Sequence, residues 1–212
     1  MSPFPHLDHL VIAAPDLRAL SRWWADHVGV EAAPGGAHIG RGTRNELAGI
    51  DDSTYVELIG PDPDQPDPAT PRPFGIDSIV NQRLVTFAVA VEDLDASCDA
   101  VRSVGVDPGK PTSMQRRRPD GSVLAWRLAV PADPELGGVM PFLIEWADSE
   151  HPAVGLTASV ALTQLELSHP EPARIAAAIE AATGDAFPVQ AGNARLSATF
   201  QAPAEAPFSL SS

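Results

Sequence analysis

Three ionisable side chains stand alone inside apolar stretches of this sequence: His9, Glu57 and Glu145. Glu57 lies in Tyr55–Ile59 and Glu145 in Phe142–Trp146, where the neighbouring residues are aliphatic or aromatic. A carboxylate in such a strand is unfavourable unless it is paired, hydrogen-bonded, solvated in a cavity or bound to a metal ion. These three residues are therefore the first candidates for a functional site.

A repeated pattern indicates which elements position them. The segment 7–17 returns at 84–94, with Thr86 where the first copy has His9, and a weaker copy follows at 162–172. Each copy has the alternation of a strand followed by the start of a helix. Bulky residues on one face of the strand suit a covering helix, and small or polar residues on the other face suit a cavity wall. His9 belongs to the cavity face.

The helices that follow the first strands have recognisable ends. Asp16 and Asp93 are predicted N-caps, and the apolar stripes behind them end near Gly29 and Gly105. Glu171 takes the same place in the third copy. Each helix is followed by further short strands, so each copy has the order strand, helix, then several strands.

The spacing of the copies divides the chain. We expect a first module over residues 1–60, a second over 83–150 and an incomplete third over 157–212. Residues 61–82 between the first two are rich in proline and aspartate, which predicts an extended linker, with a rim over the cavity as the alternative. The turn between the second and third strands of the second module is predicted at Pro119-Asp120-Gly121.

These segments resemble the vicinal oxygen chelate superfamily, and more closely its glyoxalase-like branch. The resemblance is carried by Leu7–Ala13, Gly35–His38 with Gly42–Asn45, Tyr55–Ile59, Arg117–Gly121, Ile144–Trp146 and His151-Pro152. It implies an α+β fold of repeated βαβββ modules, the glyoxalase/bleomycin resistance/dihydroxybiphenyl dioxygenase-like fold, with the incomplete third module at the C-terminus. Members typically hold a divalent metal ion in the cavity between paired modules.

The resemblance assigns metal ligation to His9, Glu57 and Glu145, with either glutamate also available as a catalytic base. The ion would be zinc, nickel, manganese or iron. The fourth family position is Thr86, whose hydroxyl is a poor ligand, and Gln164 is the residue aligned with His9 in the third copy. Two alternatives remain. His9 can hydrogen-bond a glutamate with no ion present, or the glutamates can face solvent or an arginine.

Further side chains are candidates for substrate contact. His38 and Asn45 either shape the glycine-rich loop around them or contact a substrate. Arg116 and Arg118 either belong to a solvated charge cluster that pairs with acidic residues, or one of them, or Arg44, holds a carboxylate or phosphate, because guanidinium presents paired donors to these groups. On a strand Arg117 points away from Arg116 and Arg118. Trp126 and Trp146 are expected to pack beneath helices.

Composition narrows the classes of partner. The net charge of −14 argues against nucleic acid and against anionic membranes, which leaves small molecules. The sequence contains no segment long and apolar enough to span a membrane and no signal peptide, and the single Cys98 suits a reducing compartment, so we expect a cytoplasmic location. The family resemblance also implies a homodimer.

Two functions follow from the sequence, and a third is weaker. The first is a glyoxalase-like enzyme acting on a small oxygenated molecule through a divalent metal ion, of lyase or isomerase type. The alternative is a metal-free small-molecule binding or drug-sequestering protein of the same fold. The third is a structural or regulatory dimer with a vestigial cavity.

Overall fold

A computed structural model gives the structure, which describes residues 4–118, 121–136, 138–146, 149–203 and 205–212. The first module contains β1 (Leu7–Ala13), α1 (Leu17–Val28), β2 (Ala33–His38), β3 (Thr43–Gly49) and β4 (Tyr55–Pro61). The second contains β5 (Arg83–Ala90), α2 (Leu94–Ser103), β6 (Thr112–Arg117), β7 (Val123–Ala129) and β8 (Phe142–Glu145). The C-terminal segment contains β9 (Ala161–His169), α3 (Pro172–Thr183), β10 (Val189–Ala191), β11 (Arg195–Gln201) and β12 (Phe208–Ser211).

The strands of the first two modules close into one barrel, in the order β1-β4-β3-β2-β6-β7-β8-β5. In each module the first strand pairs in parallel with the last, β1 with β4 and β5 with β8. The modules join where β1 runs antiparallel to β5 and where β2 runs antiparallel to β6. The predicted α+β fold of repeated βαβββ modules is confirmed for these two copies.

The helices begin where the sequence predicts. The Asp16 carboxylate accepts a hydrogen bond from the Ala19 amide at 3.0 Å, and Asp93 accepts from Ala96 at 2.9 Å. Each cap satisfies an amide that would otherwise lack a partner at the helix start and stabilises it by about 1 kcal/mol. Gly29 ends α1 with φ of 77°, a left-handed conformation that favours glycine.

The barrel wall separates two apolar regions. Leu10, Ile12 and Leu58 point outward into the large core beneath the helices. Val11 and Ala88 point inward with aromatic residues of β7 and β8. This alternation is the period of two of a β-strand, and it gives the barrel a lined interior.

The C-terminal segment forms a separate four-stranded sheet in the order β10-β9-β11-β12. Here the first strand pairs in parallel with β10, the strand directly after the helix, whereas in the barrel modules the parallel partner is the last strand. The segment is therefore not a shortened copy of the first two modules. It buries Leu196 and Phe200 in the outer core.

The proline-rich segment between the modules lies against the barrel. Arg72 donates to Asp67 and Asp77 within the segment and to the Gly42 carbonyl of the barrel. A short 3₁₀ helix follows at Pro73–Ser78, and its Ile76 is buried. Across the described ranges, no helix is both long enough and apolar enough to cross a bilayer. The predicted turn residues Pro119 and Asp120 lie outside the described residues.

Candidate functional site

The barrel interior contains a cavity of about 390 Å³. One end is polar and is lined by His9 of β1, His38 of β2, Asn45 of β3, Glu57 of β4 and Arg116 of β6. All five side chains belong to residues that are at most 7% exposed. The sequence had nominated each of them separately, and the barrel brings them together.

Asp8 holds His9 in position. Its carboxylate accepts hydrogen bonds from His9 Nδ1 at 2.5 Å, Trp146 Nε1 at 2.7 Å and His151 Nε2 at 3.0 Å. Burial opposes ionisation of this carboxyl, but the hydrogen bonds from His151 and His9 and their charge outweigh burial and lower the pKa of Asp8 to about 2. With Nδ1 donating to Asp8, His9 directs Nε2 toward Glu57, at 3.8 Å from Oε2.

The hydrogen bonds around Asn45 define its orientation. Arg116 Nη1 can only donate, so the atom it contacts at 3.0 Å is the amide oxygen of Asn45. The amide nitrogen then donates to Glu57 Oε1 at 2.5 Å and to His38 Nε2 at 3.3 Å. His38 consequently carries its proton on Nδ1 and donates it to Thr43 Oγ1 at 3.0 Å. Burial lowers the pKa of His38, in agreement with a neutral ring.

Arg116 is the least satisfied group of the site. The residue is 4% exposed, its Nη1 is bonded to Asn45, and its Nε has no hydrogen-bond partner among the described residues. No carboxylate of the described chain lies within ion-pair distance of it. Burial lowers the pKa of Arg116, because a guanidinium taken out of water is less stable in its charged form. The guanidinium lines the cavity, where an anion would supply a direct counter-charge.

Two glycines of β2 make room for this arrangement. A Cβ at Gly35 would overlap Oδ1 of Asn45 and approach Nη1 of Arg116 to 2.9 Å. A Cβ at Gly36 would overlap the carbonyl of Arg117, and its φ of 143° also favours glycine. Because these two glycines have no side chains, Asn45 of β3 and Arg116 of β6 can lie side by side across β2.

A glyoxalase-like domain model matches residues 7–183, most of the chain. The chain belongs to the glyoxalase-like domain family. The resemblance found in the sequence is therefore confirmed at the level of family and fold. No protein with a curated description matches the chain by sequence.

Solved structures with the glyoxalase-like fold resemble the chain at low identity. A hypothetical protein from Staphylococcus aureus is 16% identical with a TM-score of 0.60, over 96% of this chain and 84% of that one. Methylmalonyl-CoA epimerase from Mycobacterium tuberculosis is 25% identical with a TM-score of 0.42, over 69% and 93%. The Streptomyces coelicolor epimerase, solved with 2-nitronate-propionyl-CoA, is 23% identical with a TM-score of 0.45, over 70% and 99%.

The structure does not bring Glu145 to the site. Phe142, Ile144 and Trp146 line the cavity, so the alternation of β8 turns Glu145 to the opposite face. There it accepts a hydrogen bond from Arg127 at 3.0 Å, and Arg127 also pairs with Asp95 of α2. The expected cluster of His9, Glu57 and Glu145 therefore does not form.

Among its described residues, the second module offers no replacement ligand. Val11 and Ala88 are equivalent positions of the two copies. In the parallel strand pairs, Val11 lies opposite Glu57 and Ala88 lies opposite Phe142. An aromatic ring thus occupies the place of the first module's carboxylate. Thr86 is not among the cavity residues, and its hydroxyl lies 3.5 Å from the Phe87 carbonyl.

Members of the glyoxalase-like family commonly hold a divalent metal ion. The possible metal-ligand atoms among the described residues of this cavity are not arranged to coordinate one. His9 Nε2 and Glu57 Oε2 face each other, while His38 Nε2 is engaged by Asn45. Within the described part of the chain, no three His, Cys, Asp or Glu side chains are arranged to hold a metal. Three protein ligands are the usual minimum for a catalytic zinc ion, and the buried Arg116 charge opposes a second cation.

The other predicted arginines lie outside the cavity. Arg44 points to the exterior, where it pairs with Asp62 at 3.6 Å and Asp64 at 3.2 Å. Arg118 donates to the Glu150 carbonyl at 3.4 Å. Of the residues proposed for substrate contact, the structure therefore places His38, Asn45 and Arg116 at the cavity.

Several cavity residues were missed or misplaced by sequence reasoning. Trp126 and Trp146 line the cavity and do not pack beneath helices. Asp8 directly precedes His9 in an otherwise apolar strand, and this adjacency could have identified it. Tyr55 stacks on His9 with ring centres 4.6 Å apart, and burial, with the charges of Asp8 and Glu57, raises its pKa. Phe74, from the proline-rich segment, closes over Phe142 at 5.7 Å.

Proposed function

We propose that this glyoxalase-like protein binds a small organic anion in its barrel cavity and does so without a divalent metal ion. The observation that carries the proposal is Arg116, a buried guanidinium that lines the cavity and forms no direct ion pair with a described carboxylate. Glu57 attracts it only across Asn45, and a buried charge without a direct ionic partner is unfavourable. A carboxylate or comparable oxyanion would relieve that cost through charge-assisted hydrogen bonds.

The remainder of the cavity supports a ligand with an apolar body. Trp126 and Leu128 of the β7 segment, Phe142 and Ile144 of β8, and Phe74 face the interior. A volume of about 390 Å³ is at the lower end of the range for drug-sized ligands. A ligand with an anionic head group at Arg116 and an aromatic or aliphatic body against these walls would contact both the charged and the apolar surface of the cavity.

Acid–base catalysis on the same ligand is the second candidate, and the Asp8–His9 pair favours it. Asp8 holds His9 so that Nε2 faces Glu57 inside the cavity. A histidine oriented in this way, or the neighbouring glutamate, is suited to move a proton at a carbon next to a carbonyl. Arg116 would stabilise the negative oxygen that forms. This is isomerase-type chemistry carried by the chain's own residues.

The binding proposal is tested with phenylacetate and its neutral analogue phenylacetamide. We expect phenylacetate to raise the thermal transition temperature and to show binding in titration calorimetry. Phenylacetamide should bind at least about tenfold more weakly, because it lacks the charge that Arg116 requires. Arg116→Met should abolish the difference. Arg117→Met is the matched control, since Arg117 is exposed and points to the other face of β6.

Circular dichroism establishes that each variant is folded, and Arg116→Gln provides a second test that keeps a polar side chain. Equal binding of acid and amide, or acid binding that survives both Arg116 variants, would overturn the proposal. Dialysis against a chelator should leave the affinity unchanged. If the chelator abolished binding and only added zinc or manganese restored it, a metal-dependent function would be favoured over metal-free binding.

A catalytic role is measured separately by incubating a bound arylpyruvate, a keto acid that keeps the carboxylate, in deuterium oxide. Acid–base catalysis predicts enzyme-dependent deuterium incorporation next to the carbonyl, lost in His9→Ala or Glu57→Gln. Tight binding without incorporation would leave the protein as a binding protein.

A further inference from the structure

We infer that the cavity has a second anion-binding position at its mouth, formed by Arg41 and Lys110, so that the preferred ligand carries an anionic group at each end. The inference rests on the proposed function, because it extends a ligand whose first anionic group is held by Arg116.

One face of β6 connects the two positions. Arg116, Met114 and Thr112 line the cavity at every second residue, and Lys110 continues the series before the strand begins. Burial decreases in the same direction, from Arg116, which is 4% exposed, to Lys110, which is exposed. The series therefore runs from the polar end of the cavity to its mouth.

Arg41 lies beside this series. Its Nη2 contacts Met114 Sδ at 3.4 Å, and Met114 is two residues from Arg116 on the same strand face. Two residues of extended strand span roughly 7 Å, which is the distance scale along β6 between Arg116 and the Met114 side chain that Arg41 contacts. The thioether is a weak acceptor, so a carboxylate would be a far better partner for Arg41.

Neighbouring arginines form ion pairs with carboxylates, whereas Arg41 and Lys110 form none in the described part of the chain. The acidic segment between the modules pairs Asp62 and Asp64 with Arg44, and Asp67 and Asp77 with Arg72. In the described part of the chain, no carboxylate lies within ion-pair distance of Arg41 or Lys110.

The charge of the lining is opposite to that of the chain. The full sequence has 28 acidic and 14 basic residues. The cavity is lined by three basic residues, Arg41, Lys110 and Arg116, and by one acidic residue, Glu57. A cavity of this kind concentrates small anions even though the protein as a whole repels them.

The surface between the two cationic positions is apolar. Trp126 faces Met114 across the β6–β7 pairing, and Leu128 pairs with Thr112. Val130 and Phe74 complete the lining on this path. A dicarboxylate with an aliphatic middle matches this sequence of charged, apolar and charged surface.

The experiment compares acids of equal carbon number, hexanoate with adipate and octanoate with suberate, by calorimetry at low ionic strength. We expect at least one dicarboxylate to bind about tenfold more tightly than its monocarboxylate, as one added partly desolvated ion pair would give. Arg41→Gln combined with Lys110→Gln should remove this preference and leave the affinity for the monocarboxylate unchanged. Arg44→Gln is the control, since Arg44 already pairs with acids outside the cavity.

The outcomes separate the two proposals. Monocarboxylate binding without any dicarboxylate preference, or a preference that survives the double variant, overturns the second position and leaves the Arg116 proposal in place. Failure of the folded protein to bind these acids while it binds phenylacetate overturns the second position alone, and failure to bind phenylacetate as well overturns both. Loss of the preference in the Arg44 variant would assign it to the overall charge and not to the mouth of the cavity.

Discussion

Replacing Asp8 by asparagine is the most informative single change, because Asp8 accepts hydrogen bonds from three side chains. His9, Trp146 and His151 all donate to its carboxylate. An asparagine side chain has one oxygen and one NH₂ group, so it cannot accept all three N–H groups. The variant must leave one donor unsatisfied, or force His9 into the tautomer that carries its proton on Nε2.

The expected loss of stability follows from the pKa. The folded protein lowers the pKa of Asp8 from 3.8 to about 2, and Asp8 is 1% exposed, so solvent does not screen the interaction. At roughly 1.4 kcal/mol for each pKa unit, the ionised carboxylate stabilises the folded state by about 2 kcal/mol. Asp8→Asn should lower the free energy of unfolding at neutral pH by about this amount.

The pH dependence has a definite sign. Since the folded pKa lies below the unfolded value, the contribution of Asp8 is complete above 3.8 and is lost as the pH falls toward 2. Urea denaturation of the parent and the variant should therefore show a difference that is constant from neutral pH to about pH 5 and shrinks below about pH 4. Asp26→Asn, on the exposed face of α1, is the control, with an expected change within about 0.5 kcal/mol.

A variant as stable as the parent at neutral pH would refute the assigned hydrogen bonds of Asp8. A difference that persists unchanged to about pH 3 would refute the role of its ionisation.

Three further changes test the rest of the structure. Gly35→Ala places a methyl group against Asn45 and should lower the stability by about 1–3 kcal/mol and weaken phenylacetate binding, as measured by urea denaturation and calorimetry. Asp93→Ala removes the cap of α2 and should lower the stability by about 1 kcal/mol with no change in ligand affinity. Glu145→Gln should leave ligand affinity unchanged, because Glu145 contacts Arg127 outside the cavity; a large loss of binding would contradict its placement.

The repeat and its helix caps could be predicted from sequence because the signals are local. Asp16 and Asp93 precede apolar stripes with helical spacing, and both cap as expected. The inward direction of His9 followed from the contrast between small and bulky faces of β1. Glu57 also faces inward, which alternation alone allowed but did not require.

Glu145 shows why the remainder of the site could not be predicted. Both faces of β8 are apolar, so alternation gives two equally acceptable orientations for Phe142–Glu145. The partner of Glu145 is Arg127, which becomes its neighbour only through the register of β7 with β8. The same holds for Arg116, whose entry into the cavity depends on the pairing of His38 with Arg116 between modules. Long-range register decided both positions, and no local pattern encodes it.

The difference between the two modules determines how a ligand would lie in the barrel. The backbone repeats, but the first module contributes His9, His38, Asn45 and Glu57, while Phe142 occupies the place equivalent to Glu57 in the second. A symmetric pair of polar ends would accept a ligand in two orientations. With the histidines, Asn45 and Glu57 at one end and an aromatic wall opposite, the proposed ligand would place its first anionic group beside Arg116 and its body against β7 and β8, and the atoms next to that group would lie near His9.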